Sequence, residues 1–329
     1  MPEDQGMTIT NDMNVWEKIS STHDGMYIAG TNGVQEILRP RDGRSEFVKL
    51  ENGKVLVTFP SSKVPVYYPL VHYPFQPKAK AVLMDLDGTS VRSESFWIWI
   101  IEQTTAALLG DPEFRLTEED EPFVSGFSVS EHLLYCIEKY NVPATLEQAR
   151  EMYFELTRRE MREIMEGRGK QDAYTVTPGL KEFLLALKDN NIKIGLVTSG
   201  LYEKAMPEII SGFRQLDMGD PLYFYDAVIT AGTTYGPGQS GTLGELSAKP
   251  HPWLYREVCE VGLGIHEEDF NRVVVLEDSS AGVMAGYLAG FDVIGMTGGN
   301  IEAAGLTPML HTMADTLAQA LEIILGKEK

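Results

Sequence analysis

Hydrophobic and polar positions follow two different patterns along the chain, and each pattern predicts a different kind of structure. Before residue 78, short β-branched and aromatic stretches occur at 46–50 and 54–59, and Asn52-Gly53 between them is a strong hairpin signal. From residue 80 onward, apolar strands alternate with loops and helices, which is typical of a parallel sheet covered by helices. The sequence therefore predicts a β-rich region followed by an α/β domain.

A proline-dense stretch ends the β-rich region. It contains Pro60, Pro65, Pro69, Pro74 and Pro77. Proline donates no backbone hydrogen bond, so a run of prolines disfavours both helix and central strand. We expect an extended connector that wraps the next domain.

Five buried strands are predicted in the α/β region, at 81–84, 192–197, 227–230, 272–276 and 292–296. Pro178 and Pro252 stand where first turns of helices are expected, because the missing N–H costs nothing there. The long stretch between the first and second strands reads as helix only. It carries capping boxes at Ser128-x-x-Glu131 and Thr145-x-x-Gln148.

The helical stretch is interpreted as a cap domain inserted into the sheet domain. The predicted architecture is a Rossmann-like parallel α/β core at 79–92 and 175–329, a helical cap at 93–174, and a β-rich region with its connector at 1–78. A glycine-dense segment at 231–248 lacks the Gly-Lys-Ser/Thr of a nucleotide-binding loop, so a flexible surface loop is favoured there.

Composition narrows the classes of protein that fit. The 329 residues, 43% of them hydrophobic, are enough to bury a sizeable core. A formal net charge of −20 repels phosphate backbones and anionic membranes, so neither nucleic acid nor a membrane is expected as a partner. No apolar run approaches the roughly 18 residues of a membrane helix, and residues 1–12 do not resemble a signal peptide. We predict a cytoplasmic protein.

The two cysteines, Cys136 and Cys259, are far apart in the sequence and lack metal-ligand spacing. This fits packed thiols in a reducing compartment, although a disulfide between them stays open. The six histidines form no pair at metal-ligand spacing, and His132 and His251 are treated as ordinary residues. The apolar block from Phe96 to Ile101 is favoured as the buried face of a cap helix over a substrate pocket.

Two aspartates follow the first predicted strand of the α/β region. They are Asp85 and Asp87, within Asp-Leu-Asp-Gly-Thr. Strand exits at the carboxyl edge of such a sheet are where ligands bind, and alternation along an extended backbone points both carboxylates into one cavity. Their mutual repulsion calls for a bound cation or a protonated partner. The alternative is an acidic loop that caps the next helix.

Three further segments follow other strands. Thr198-Ser199-Gly200 offers hydroxyls and backbone N–H groups to an anion, although a plain helix cap would look the same. Lys249 stands just ahead of a predicted helix and would, alone, be read as a solvated surface charge. Glu277-Asp278 ends another buried strand, and hard oxygen ligands of this kind suit Mg²⁺ better than zinc or calcium.

Taken in order, each at a strand exit, these segments resemble the haloacid dehalogenase superfamily. Its phosphotransferases carry DxDGT, a Thr or Ser after the second strand, a Lys and an acidic motif. The runs Thr177-Pro178-Gly179-Leu180, Lys249-Pro250-x-Pro252 and Glu277-Asp278-Ser279-Ser280-Ala281-Gly282 look like the branch containing β-phosphoglucomutase and phosphoglycolate phosphatase. The similarity spans from about residue 80 to the carboxyl terminus. It leaves 1–78 outside and implies no function for that region.

The resemblance implies an enzyme, a magnesium-dependent phosphatase of small phosphorylated metabolites. It makes Asp85 the nucleophile that forms an aspartyl-phosphate, and Asp87 the group that protonates the leaving oxygen and then activates water. The implied phosphate-binding residues are Thr198, Ser199, Gly200 and Lys249. The implied magnesium ligands are Asp85, the Asp87 main-chain carbonyl, Asp278 and Glu277.

Other activities within the superfamily fit less well. A dehalogenase does not need the second aspartate, and a phosphonatase would carry DxAGT. A sugar phosphomutase of the β-phosphoglucomutase type uses a basic pair around a cap glycine, whereas the matching Gly126 is flanked by Ser125 and Val129. The histidine that such a mutase carries in its first cap segment is replaced near Trp97. The mutase stays as an alternative, as does a non-catalytic binding protein that uses the β-rich region as its surface.

Overall fold

The computed structural model describes residues 16–62, 65–120, 129–170, 172–231 and 248–327, apart from the side chain of residue 131. The chain divides into two compact units. Unit 1 comprises 1–90, 178–202 and 222–329, and unit 2 comprises 91–177 and 203–221. The predictions about the amino-terminal dozen residues, the Ser128 capping box and most of the glycine-dense segment lie outside the described residues.

The described strands, in chain order, are β1 (Trp16–Ile19), β2 (Val34–Pro40), β3 (Glu46–Leu50), β4 (Val55–Thr58), β5 (Tyr68–Pro69), β6 (Ala81–Asp85), β7 (Val91–Arg92), β8 (Thr175–Val176), β9 (Lys193–Val197), β10 (Ala227–Ile229), β11 (Val273–Glu277), β12 (Asp292–Met296) and β13 (Thr312–Ala314). The described α-helices are Glu94–Leu109, Val129–Tyr140, Leu146–Met165, Leu180–Asp189, Tyr202–Leu216, Pro221–Phe224, Trp253–Glu257, Ser280–Leu288, Ile301–Ala304 and Leu317–Leu325.

Within unit 1, β1 to β5 form an antiparallel sheet in sequential order. The predicted hairpin joins β3 to β4, and Gly53 in its turn adopts a positive φ of 83° that favours glycine. The proline-dense connector supplies β5, which lies at an edge of the sheet, where a missing backbone donor is tolerated. Farther on, the connector runs beside the start of β12, where Tyr73 forms a parallel bridge with Phe291. There, the backbone N–H of Phe75 donates to Asp292 over 2.7 Å.

The second sheet of unit 1 is parallel, in the order β10-β9-β6-β11-β12-β13. This confirms the predicted α/β fold with a Rossmann-like parallel core and an additional β-rich region. The register pairs Asp85 of β6 with Val197 of β9, and Met84 of β6 with Leu276 of β11. Three neighbouring strands therefore end at one edge of the sheet, and the loops that follow them begin side by side.

The two sheets of unit 1 share a hydrophobic core. One face of the antiparallel sheet contributes residues such as Phe47 and Phe59 to the cluster that contains Leu254, Phe270 and Met284 of the α/β part. The Trp16 indole N–H also donates to the Gly305 carbonyl over 3.2 Å. The opposite face of the antiparallel sheet has a small cluster of its own, built on Val34, Ile37 and Val48.

Unit 2 is mainly helical. Its helix Leu146–Met165 begins at the predicted capping box, in which Thr145 and Gln148 each bond the other's backbone N–H. The expectation of helix alone is wrong, because Val91–Arg92 and Thr175–Val176 pair as short antiparallel strands. These strands are only two residues long, too short to give an alternating pattern in the sequence.

Both cysteines are buried free thiols, so the disulfide that the sequence left open does not form. Among the described helices, none combines the length and the apolar character needed to cross a membrane.

Candidate active site

Three acidic side chains meet at the carboxyl edge of the parallel sheet. Asp85 is the last residue of β6, and Glu277 is the last residue of β11, directly followed by Asp278. One carboxylate oxygen of each residue lies within 4.8 Å of the other two. Three oxygen donors at this spacing form a set that a hard cation such as Mg²⁺ prefers, with coordination positions left for water and a phosphate.

Lys249 inserts its ammonium group among these acids. Its side chain is only 5% exposed, and its Nζ donates to Asp85 Oδ1 and, over 2.6 Å, to Glu277 Oε1. Burial alone would lower the pKa of Lys249, but the negative charges of Asp85 and Glu277 outweigh it and raise the pKa. The lysine is therefore held as a cation between two buried carboxyl groups.

The acidic cluster carries more negative charge than one lysine balances. Burial, followed by repulsion from Glu277, raises the pKa of Asp85 well above its usual value. The same two causes, in the same order, raise the pKa of Asp278 to about 6. A bound cation would relieve this repulsion, so the residues present fit a divalent metal.

Glu277 is fully buried and accepts four hydrogen bonds. Its Oε1 accepts from Lys249 and, over 2.7 Å, from the Tyr255 hydroxyl. Its Oε2 accepts from the backbone N–H and the hydroxyl of Ser279, at 3.2 and 3.0 Å. Tyr255 was missed by the sequence analysis, because only the folded chain brings it to β11. The one sequence feature that could have pointed to Tyr255 is its position on the helix that begins just after Lys249.

Three glycines make room for the acids. An ideal Cβ at Gly88, where φ is +88°, would lie 2.1 Å from Asp278 Oδ2. At Gly282 the added atom would lie 1.7 Å from Glu277 Oε1, and at Gly299 it would lie 2.0 Å from the Asp278 carbonyl oxygen. Real Cβ atoms do not approach this closely, so these positions require glycine. Gly88 and Gly282 belong to segments singled out in the sequence, whereas Gly299 was missed.

The loop after β9 lies beside the same cluster. Thr198 is buried, and its Oγ1 accepts a hydrogen bond from the Gly200 N–H over 2.9 Å. The exposed Ser199 accepts a hydrogen bond from the Lys249 backbone N–H at 3.1 Å. This contact joins the predicted phosphate-binding segment directly to the predicted lysine segment.

Asp87 lies half-buried two residues beyond Asp85, and its side chain is not part of the three-carboxylate cluster. Between them in the sequence, Leu86 is buried in the core. Nearby, the Thr89 hydroxyl donates to Asp278 Oδ1 over 3.2 Å, which links the Asp85 loop to the end of β11.

Other sequence predictions concern helices of unit 2. In the helix Glu94–Leu109 of unit 2, Phe96, Ile100 and Ile101 are buried, which agrees with the interpretation of the apolar block as a buried helix face. Val129 begins the helix Val129–Tyr140, whereas Ser125 and Gly126 of the mutase comparison lie outside the described residues.

The profile of the haloacid dehalogenase-like hydrolases matches residues 79–290, which is more than half of the chain. No curated protein matches the sequence.

Solved structures with the same fold include a "predicted phosphoglycolate phosphatase" from Haemophilus somnus 129pt, at 17% identity and a TM-score of 0.54, over 75% of this chain and 99% of that one. A "putative beta-phosphoglucomutase" from Thermotoga maritima matches at 24% identity and a TM-score of 0.52, over 75% and 97% of the two chains. A HAD-superfamily hydrolase of subfamily IA from Geobacter sulfurreducens PCA matches at 17% identity and a TM-score of 0.50, over 76% and 98%.

Proposed function

The chain belongs to the haloacid dehalogenase-like hydrolases, and on that premise we propose that it is a magnesium-dependent phosphatase of small phosphorylated metabolites. Asp85 would attack phosphorus and form an aspartyl-phosphate intermediate. One observation supports this proposal above the others: Asp85, Lys249 and the Glu277-Asp278 pair, which are far apart in the sequence, meet at one sheet edge.

The proposed magnesium ligands are the carboxylates of Asp85, Glu277 and Asp278, with the main-chain carbonyl of Asp87. When bound there, magnesium would offset the negative charge that gathers as a phosphate dianion approaches a carboxylate. Glu277 would also position Lys249 and Tyr255, because its oxygens accept hydrogen bonds from both.

The chemistry proposed for the protein residues has two steps. First, an Asp85 carboxylate oxygen attacks phosphorus while the bond to the ester oxygen breaks, and Asp87 donates its proton to that leaving oxygen. Next, Asp87 accepts a proton from water, and the hydroxyl oxygen attacks phosphorus. The bond to Asp85 breaks, and inorganic phosphate leaves.

Phosphate recognition is assigned to the loop after β9 and to Lys249. Thr198 already accepts a hydrogen bond from Gly200, so its hydroxyl proton is available to donate to a phosphoryl oxygen. The Ser199 backbone N–H would donate to the same oxygens, whereas the Gly200 N–H donates to Thr198 Oγ1 and would orient that hydroxyl toward the phosphate. Lys249 lies against Asp85, where it would stabilise charge that develops during attack.

The decisive experiment measures release of phosphate from an aryl phosphate with Mg²⁺, with and without EDTA, beside Asp85→Asn. We expect metal-dependent turnover by the native protein and a fall of at least about 10³-fold in Asp85→Asn, because the nucleophile is lost. Acid-quenched protein should carry a phosphoryl group only when Asp85 is present. Equal turnover by both proteins would exclude the assigned nucleophile.

The same assay separates the alternatives. Activity only in the presence of a sugar bisphosphate would identify a phosphomutase, which the Thermotoga maritima relative's description brings into consideration. No activity on any phosphate ester, together with unchanged folding, would favour a non-catalytic binding protein. A cytoplasmic location and a small-molecule partner remain predictions.

A further inference from the structure

The segment that carries Lys249 contacts the antiparallel sheet as well as the α/β sheet. The Tyr68 hydroxyl of β5 lies 2.7 Å from Nδ1 of His251, which is two residues beyond Lys249. Burial raises the pKa of Tyr68 and lowers the pKa of His251, so both side chains are neutral near pH 7. The phenol can then donate a hydrogen bond to the imidazole nitrogen.

Aromatic packing strengthens this contact. The His251 ring packs edge-on against Phe59, the residue that follows β4, with ring centroids 5.4 Å apart. Tyr68 also packs edge-on against Trp253 at 6.2 Å, at the start of the helix that carries Tyr255. Tyr68 of the antiparallel sheet and Phe59, directly after β4, therefore pack against the stretch of chain that carries Lys249 and Tyr255, the two donors to Glu277 Oε1.

Other contacts also hold the Lys249 segment, among them a hydrogen bond of 3.3 Å from Lys249 Nζ to the Val197 carbonyl oxygen. Its backbone is tied to the loop after β9 by the Lys249 to Ser199 hydrogen bond. Lys249 and Pro250 also line a cavity of about 410 Å³, whose walls include Arg44, Ser61 and Ser280. Part of the segment therefore borders open space, and on its other side His251 contacts Tyr68 and Phe59.

The antiparallel sheet lies outside the family match. Residues 16–69 precede the matched range of 79–290, so the contact with the Lys249 segment comes from a part of the chain outside that range.

We propose that Tyr68 and His251 are positioning residues for Lys249, through which the antiparallel sheet holds the lysine against Asp85. This inference rests on the proposed phosphatase function. Lys249 stabilises the charge that builds as Asp85 attacks, so its displacement would slow turnover more than it weakens substrate binding.

The test compares single-atom changes at two neighbouring tyrosines. Tyr68→Phe removes only the hydroxyl that meets His251, and Tyr67→Phe removes a hydroxyl that donates to Asp24 over 2.8 Å within the same region. We expect Tyr68→Phe to lower kcat on an aryl phosphate about 10-fold, with KM changed less than about twofold. Tyr67→Phe should keep the native kcat.

Substitutions of His251 test whether Tyr68 acts on Lys249 through the imidazole. His251→Leu should lower kcat as Tyr68→Phe does, and the double variant should be no slower than the slower single variant, since both break one link. His251→Asn keeps a polar atom near the position of Nδ1 and should retain most of the turnover. The proposal is overturned if Tyr68→Phe turns over at the native rate, or if Tyr67→Phe is impaired equally.

A second readout does not require activity. Acetylation by an amine-reactive reagent, followed by peptide mass spectrometry, compares Lys249 with the exposed Lys54. Lys249 should be protected in the native protein and in Tyr67→Phe, and acetylated faster in Tyr68→Phe. If the native protein hydrolyses no phosphate ester but this labelling pattern appears, the phosphatase assignment fails while the positioning contact stands. Equal protection in all three proteins overturns the contact.

Discussion

Gly282 has no side chain, and this leaves space for the carboxylate of Glu277. Gly282→Ala would place a methyl group on Glu277, the acceptor that holds Lys249 and Tyr255. We expect a loss of about 1–3 kcal/mol in the free energy of unfolding, as for other overpacked sites. Turnover per folded molecule should fall at least about tenfold, because Lys249 moves with its acceptor.

Gly286, in the same helix, provides the control. A methyl group there would meet Val293 and Val275 at 3.0 to 3.2 Å, away from the acids. Gly286→Ala should therefore lower the melting temperature and leave kcat per folded molecule unchanged. Native stability and native kcat in Gly282→Ala would contradict the close packing described here.

At the residue scale, site residues could be predicted from the sequence where a reactive side chain stands at the end of a buried strand. Asp85 and Glu277 end buried strands, and parallel strands bring such ends to one edge, so their proximity could be expected. Tyr255 and Gly299 depend on contacts between segments far apart in the chain, which no local pattern reports. His251 was treated as ordinary for the same reason, since its partner Tyr68 lies 183 positions away.

At the scale of elements, one buried aspartate organises part of unit 2. Asp120 accepts hydrogen bonds from Lys139, Tyr135 and Tyr140, at 2.6 to 2.8 Å, so it fastens its loop to the helix Val129–Tyr140. Burial opposes ionisation of Asp120, but hydrogen bonds from Lys139, from Thr117 and from Tyr140 hold its pKa well below the usual range.

The sign of the resulting pH dependence follows from that lowered pKa. Stability from Asp120 is present above the unfolded-state pKa of about 4 and is lost as pH falls through the folded-state pKa. Asp120→Asn should therefore cost about 1–3 kcal/mol at pH 7, and the difference from the native protein should shrink as pH falls below about 4. Chemical denaturation at pH 7, 5 and 3 measures it. Asp111→Asn, at an exposed position in the same loop, should have nearly the native free energy of unfolding at every pH. A loss of stability in Asp120→Asn that does not change with pH would contradict the ion-pair account.

Elements with strong periodicity were predictable. All five strands proposed for the parallel sheet are present; four are runs of mostly buried apolar residues, whereas in Ala227–Ile229 only Ile229 is buried. The sixth, Thr312–Ala314, was missed because it begins with a threonine and its apolar run is too short to stand out in the sequence. The helix Tyr202–Leu216 joins unit 2 through residues 203–216, although it follows a strand of unit 1, and only tertiary contacts reveal that membership.

At the scale of the whole molecule, adjacent residues on β3 test whether the antiparallel sheet folds with the α/β sheet. Phe47 enters the shared core, and Val48 enters the separate cluster on the opposite face. Phe47→Ala should cost about 3–5 kcal/mol and keep one cooperative unfolding transition of unit 1. Amide hydrogen exchange in β6 should then accelerate, because global unfolding becomes easier.

Val48→Ala is the matched comparison, since both side chains are fully buried. It should accelerate exchange chiefly within the antiparallel sheet, with a smaller effect on β6. An early, separate transition of the antiparallel sheet in Phe47→Ala would show that the sheets fold independently. The shared core could not be predicted from the sequence, because an apolar pattern along a strand predicts a buried face but does not identify the segment that packs against it.

The shared core has a practical meaning for anyone who produces this enzyme in the laboratory. Resemblance to the family begins at residue 79, and automatic trimming would start an expression clone there. Such a clone would cut through a continuous apolar interior and expose the surfaces of Leu254, Phe270 and Met284 that Phe47 and Phe59 help to cover. The shortest useful expression clone therefore begins before Trp16. The start of the family similarity is not a boundary at which this protein can be divided into separately folding parts.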